Sequence, residues 1–294
     1  MPHIFECEVF FMYCIQKYDK PNLLIRWFKI VKLEGNKIYI PIVNYEKKDK
    51  QLKLEEKLAQ KTKKIFEKLN SKKVVLSKEI KSYTKYVNLL QTYQLDIIDG
   101  KWLFNMLIPE IIEYVENKKE IKPEETTIHI LANDFTETVI ENIKRLAQNH
   151  KHVAIITKNI SKMKKIEEQI LEGTGSMITV MNNKKKSLAK AQLIINFDFP
   201  TELLKQYAIF EDSTIIDITR NIKILKKRFN GIIITNYEIE FKNKSEYKID
   251  EKLFFIRDLY EAEFYKNQPY KYVREKIKRD GIYIRNLYTK NQIL

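Results

Sequence analysis

The sequence predicts an α/β protein: a small N-terminal α/β domain, then a doubly wound, mostly parallel sheet, then a helical C-terminal tail. Three observations carry this. Short runs of Ile, Val and Leu alternate with segments of helical period, the pattern of strands buried between helices. The chain has 294 residues and is 44% hydrophobic, enough for about two domains, each with its own core. A polar stretch at 117–125, containing Pro123, separates an irregular first part from a regular second part.

The start reads as β. Runs at 28–31 and 37–43 flank Glu34-Gly35-Asn36, a hairpin signal, and Pro41 demotes the second run to an edge or interrupted strand. Segment 51–70 is helical, with Leu54, Leu58, Ile65, Phe66 and Leu69 at helix spacing. A strand at 74–76, a helix at 78–93 and a strand at 95–98 complete an α-β-α-β unit. Asp99-Gly100 opens a long helix, 102–116, kinked at Pro109, with Asn117 as its stop.

The alternation then becomes regular. Strands are expected at 127–131, 153–157, 177–181, 193–197, 214–218 and 231–235. Helices are expected at 136–148 and 160–171, with shorter ones at 187–191 and 202–207. The tail, 251–294, reads as helices, with Leu253, Ile256, Leu259, Tyr260 and Phe264 on one face and Asp280-Gly281 as a break. The domains are therefore placed at 1–117, 118–250 and 251–294, the tail packing back on the core. There is no repeat and no low-complexity segment.

The formal net charge is +15. Nucleic acid is one reading of it. The other is coding bias: 46 Lys stand against 8 Arg, beside 43 Ile, and Lys and Ile have A/T-rich codons. The bias reading is preferred, because nucleic-acid binders exploit the planar fork of Arg. Lys184-Lys185-Lys186 is a solvated turn or helix start. Cys7 and Cys14 fit no zinc or redox spacing and are expected as thiols in a reducing cytoplasm. His3, His129, His150 and His152 show no metal spacing, and His150 and His152 are expected on the surface. No stretch reaches the 18 or so apolar residues of a membrane span, and no membrane partner is expected. The start, 4–15, carries Glu6 and Glu8 without a basic lead, unlike a signal peptide.

Four short strings point to a family. They are Ile98-Asp99-Gly100, Thr157-Lys158-Asn159, Leu193-Ile194-Ile195-Asn196 and Ile215-Ile216-Asp217. With the order of parts, they resemble the two-domain, Rossmann-type dehydrogenases related to shikimate dehydrogenase and glutamyl-tRNA reductase, over about 75–218. The resemblance implies a dinucleotide site using Asn133, Asp134, Lys158, Asn196 and Asp217, and NADP as the cofactor if there is one. It implies a ligand-binding role for Asp99; turn chemistry before Gly100 is the other reading of that residue. Lys158 is preferred as a surface lysine in a chain with 46 of them, and Asp217 ends a buried strand where such folds bind ligands.

The departures are specific. The turn after the first strand of the second domain is Ala132-Asn133-Asp134-Phe135-Thr136-Glu137, without glycine. Glycines there let the backbone reach a pyrophosphate. Asp134 is expected as the helix N-cap, with Glu137 completing a capping box. A carboxylate about 4 Å from a phosphate costs on the order of 4 kcal/mol at an effective dielectric of 20. The family's catalytic lysine motif, Asn-Val-Thr-x-Pro-x-Lys, is missing, as is a reactive cysteine context.

Three functions remain in view. The first is a degenerate dinucleotide-fold protein, a pseudoenzyme that binds or regulates without ordinary NAD(P) binding; its partner would be a small molecule or a protein. The second is an NADP-dependent oxidoreductase with an atypical phosphate loop. The third is a nucleic-acid-binding protein using Arg257, Arg274, Arg279 and Arg285 interleaved with Tyr265, Tyr270, Tyr272, Tyr283 and Tyr288. The same residues also suit a tail docked through its rings.

Overall fold

A computed structural model describes residues 12–224, 229–242, 250–264, 268–289 and 292–294. His3, Cys7 and Tyr265 lie outside the described residues. In chain order the elements are β1 (Tyr13–Lys17), α1 (Leu23–Phe28), β2 (Lys32–Glu34), β3 (Lys37–Ile40), α2 (Lys48–Leu69), β4 (Lys73–Leu76), α3 (Lys78–Lys81), α4 (Thr84–Thr92) and β5 (Asp96–Ile98). Next come α5 (Lys101–Met106), α6 (Ile108–Lys119), β6 (Thr127–Leu131), α7 (Glu137–Asn149), β7 (His152–Ile156), α8 (Ile160–Thr174), β8 (Thr179–Met181) and β9 (Leu193–Asn196). The last are α9 (Thr201–Leu204), β10 (Thr214–Asp217), β11 (Ile232–Ile234), β12 (Asn236–Phe241), α10 (Ile256–Glu263), α11 (Tyr270–Arg279) and β13 (Ile282–Tyr288).

The chain divides into two units, Met1–Gly100 with Asn243–Asn267, and Lys101–Lys242 with Gln268–Leu294. The division at Gly100 differs from the expected one at 117. α5 and α6 pack against α7 and go with the second unit. The tail is shared: α10 belongs to the first unit, and α11 and β13 to the second.

The first unit is a five-stranded sheet, β2-β3-β1-β4-β5. β3, β1, β4 and β5 run parallel, and β2 pairs antiparallel with β3 through the Gly35 hairpin. β3 ends at Ile40, so Pro41 stays outside the ladder, and the strand is internal rather than at an edge. The first hairpin run begins at Lys32 instead of residue 28, because 23–28 form α1, capped by Asn22 and by Lys29 in the left-handed region. One sheet face meets Leu54, Leu58 and Phe66 of α2 and Tyr86 and Leu90 of α4. On the other, Cys14, Val75 and Ile98 pack with Phe254 and Leu259. The helix expected at 78–93 is two, α3 and α4, turning at Ser82 and Tyr83.

The second unit carries six parallel strands in the order β11-β10-β9-β6-β7-β8. Taken from β8 in chain rank, the order is 3-2-1-4-5-6, that of the Rossmann fold. Two of its inner strands, β9 and β10, are buried at every residue. Pro109 sits in the first turn of α6, where its missing N–H costs nothing. The long helix is therefore broken into α5 and α6 rather than kinked, and α6 runs past Asn117 to Lys119. Residues 184–190 form turns instead of the short helix expected at 187–191, with the Asn183 side chain accepting from the Lys185 and Lys186 amides. Sequence periodicity missed β12 and β13, an antiparallel pair with a bulge at Glu238/Ile239. Among the described residues no helix is long and apolar enough to cross a membrane, and no group of His, Cys, Asp and Glu could hold a metal.

His150 is buried, not on the surface as expected. Its Nδ1 lies 2.9 Å from the Leu146 carbonyl and its Nε2 3.0 Å from Glu116. Burial opposes a charge on the ring, but the bonds to Glu116 and Leu146 outweigh it and hold the pKa above the usual 6.5. A histidine raised on folding stabilises fully below its unfolded pKa and loses that contribution as pH rises through the folded one. His129 is pushed down by burial, so its dependence falls below 6.5 and has the opposite sign. Stability is thus expected to fall as pH rises above 6.5, and His150→Gln to abolish that fall. Urea midpoints across neutral pH for both proteins check this; an unchanged slope in the variant would refute it.

Candidate functional site

In an open parallel sheet ligands bind beyond the carboxyl ends of the strands, where the strand order reverses. Here that point lies between β6 and β9. The chain leaves β6 through Ala132-Asn133-Asp134 and leaves β9 through Phe197-Asp198. The Asp198 carboxylate reaches across to the β6 turn. It accepts from the Asn133 amide at 2.9 and 2.8 Å and from the Asp134 amide at 2.6 Å. Two successive backbone N–H groups aimed at one anion are how such a turn holds a phosphate; here an internal carboxylate takes them. Burial pushes the Asp198 carboxyl above the usual range, against the pull of the two amides, and the Asp134 charge adds to the rise.

Asp134 is not the helix cap. Thr136 is, its hydroxyl accepting from the Val139 amide. Thr136 is the better placed because its backbone is extended immediately before the first helical residue. The Asp134 side chain is 75% exposed and 4.0 Å from Lys162. Asn133 ties the ends of β6 and β7 together: its side-chain oxygen accepts from the Lys158 amide, and its carbonyl from the Asn159 side chain. The Lys158 side chain is exposed.

Asn196 and Asp217 lie side by side on β9 and β10 and are fully buried. Asn196 donates to Asp217 and to the Phe199 carbonyl, and accepts from the Phe199 amide. Asp217 also accepts from the Thr219 amide and hydroxyl and from the Ile222 amide. Both side chains are thus committed to shaping the turns that follow their strands.

In the first unit, Asp99 follows β5, and Gly100 takes φ +77°, a conformation that favours glycine. A β-carbon on Gly100 would also come within 2.8 Å of Arg257. Arg257 and Asp258 of α10 are buried. Asp258 meets Lys81 Nζ at 2.5 Å and Arg257 Nε at 3.5 Å, and the Arg257 guanidinium lies 4.6 Å from the Phe255 ring centre. Burial pushes the Asp258 carboxyl up, Lys81 and Arg257 pull it down, and the nearby Asp99 raises it further. Sequence reasoning named Asp99 for a ligand and Arg257 for nucleic acid, and missed Lys81 and Asp258. No local signal joins residues 177 apart in sequence.

The tail arginines are not all on the surface. Arg274 is buried, donating to the Met106 carbonyl and making a two-pronged pair with Glu110. Arg279 and Arg285 remain exposed. Tyr270 is buried, with its hydroxyl on Asn142, while Tyr272 and Tyr283 are exposed.

No family model matches the chain, and no curated protein does. Solved structures similar to it include the 5-ketofructose reductase of Gluconobacter sp. strain CHM43, at 18% identity over 41% of this chain and 44% of that chain, TM-score 0.26. The shikimate 5-dehydrogenase from Listeria monocytogenes is 12% identical over 70% of this chain and 77% of its own, TM-score 0.28. The ornithine carbamoyltransferase from Pyrococcus furiosus is 12% identical over 70% and 71%, TM-score 0.27. The chain spans less than half the length of the reductase. The assignment of the sheet rests on its own strand order.

Proposed function

We propose that this chain is a dinucleotide-fold protein without ordinary NAD(P) binding, acting as a binding or regulatory protein. One observation carries the reading: the Asp198 carboxylate occupies the Asn133 and Asp134 amides, where a pyrophosphate would sit. A phosphate brought to about 4 Å from it meets a repulsion of on the order of 4 kcal/mol, roughly three decades of affinity. The missing glycines and the internal commitments of Asn196 and Asp217 support the same view. Asp99, beside the Lys81–Asp258 pair, is the candidate contact for a ligand in the first unit.

The second reading, an NADP-dependent oxidoreductase, draws on that buried pair, since perturbed ionisable groups gather at active sites. The exposed Lys158 at the end of β7 would then meet the cofactor phosphate. Titration calorimetry separates the two. NADH and NADPH are expected to bind no tighter than about millimolar. Asp198→Asn, which removes the charge, is expected to tighten NADPH binding by about tenfold or more. A low-micromolar dissociation constant for the unaltered chain would overturn the proposal in favour of the oxidoreductase.

A further inference from the structure

α1 is a six-residue helix with no buried residue. Leu23 is 82% exposed, Leu24 60%, Trp27 81% and Phe28 60%, and Ile30 and Leu33 just beyond are also exposed. Large apolar side chains contiguous on a surface mark a contact. Among the described residues the helix is held at its ends and not covered: Asn22 caps its start, Lys29 closes its end, and Lys61 of α2 donates to the Phe28 and Lys29 carbonyls. Its charges are mostly positive. Lys20, Arg26 and Lys29 lie on or beside it, while Lys32 is paired with Glu34 and Asp19 precedes Lys20. Lys57 and Lys64 stand close enough to Lys61 to help lower its pKa, after the effect of burial.

We propose, against the expectation of no membrane partner, that α1 is a docking surface for anionic phospholipid headgroups on the face of a bilayer. Tryptophan, phenylalanine and leucine beside lysine and arginine are the composition that settles at the boundary between headgroups and acyl chains. The cations complement the negative surface of such a bilayer, whereas against a second copy of this face they would repel. The contact is peripheral, for no described helix can span, and it is independent of the dinucleotide site.

The test is cosedimentation of the full chain with vesicles of phosphatidylcholine alone and of phosphatidylcholine with phosphatidylserine. The chain is expected to pellet with the second and not the first. Trp27→Ala with Phe28→Ala should lower that binding about tenfold or more, and Arg26→Glu with Lys20→Glu should remove the preference for phosphatidylserine. These side chains are exposed, so unchanged melting temperatures should accompany both losses. A chain that stays in solution with both vesicles overturns the proposal and leaves the patch to an acidic protein partner. Undiminished binding of the Trp27 and Phe28 variant also overturns it, since general adsorption through lysines would then suffice.

Discussion

Ending the chain at Asp250 is expected to abolish cooperative folding, an effect far larger than the loss of an appendage. The removed residues complete both units. α10 and the residue before its cap bring Phe254 and Leu259 onto Cys14, Val75 and Ile98 of the first sheet. β13 is the partner of β12, and Val273, Ile277, Ile282, Ile284 and Leu287 are buried. Each large apolar side chain contributes roughly 1.5–3 kcal/mol by burial, and a whole domain is stable by only about 5–15 kcal/mol. Arg274 would also leave Glu110 and the Met106 carbonyl without their donor. Thermal unfolding of the full and shortened chains makes the comparison. A shortened chain that stays soluble and melts at the same temperature would show the tail to be an independent arm.

Asp217→Ala should cost roughly 3–5 kcal/mol, because it strips buried donors of their acceptor. The Asn196 amide, the Thr219 amide and hydroxyl and the Ile222 amide all point at this one carboxylate. The Asn196 and Ile222 donors are buried and cannot turn to water, while Thr219 is only partly buried. Asp217→Asn keeps one acceptor oxygen and should cost less. Urea unfolding of the three proteins measures the order. Near-equal stability of Asp217→Ala and the parent would mean that the carboxylate serves a ligand instead of the turn.

The fold was legible where a segment's own composition decides its state. β9 and β10 are apolar on both faces, so a few residues suffice to mark a strand buried between layers. α7 and α8 show their stripes because each buries one face only. What escaped was set by partners far along the chain. β13 looked like tail helix because a short alternating run becomes a strand only when β12 lies beside it. The anion seated on the Asn133 turn comes from Asp198, 64 residues away from Asp134. The missing glycines were visible in the sequence, and the carboxylate that accepts from the two turn amides was not. Asp134 drew the expectation because it is adjacent in sequence, yet it points to solvent.

The first unit is discontinuous in sequence, and this governs the order of events at the ribosome. Its five strands are made within the first hundred residues, but the α10 segment that covers one face of the sheet begins only at Ile256. At roughly 5–20 residues per second, that cover emerges on the order of ten seconds or more after β5. Through this interval Val75 and Ile98 lack their native partner Phe254. The nascent chain thus carries an uncovered apolar face while the second sheet is being made. Chaperones that hold apolar surface would be engaged during synthesis and released when the last fifty or so residues arrive.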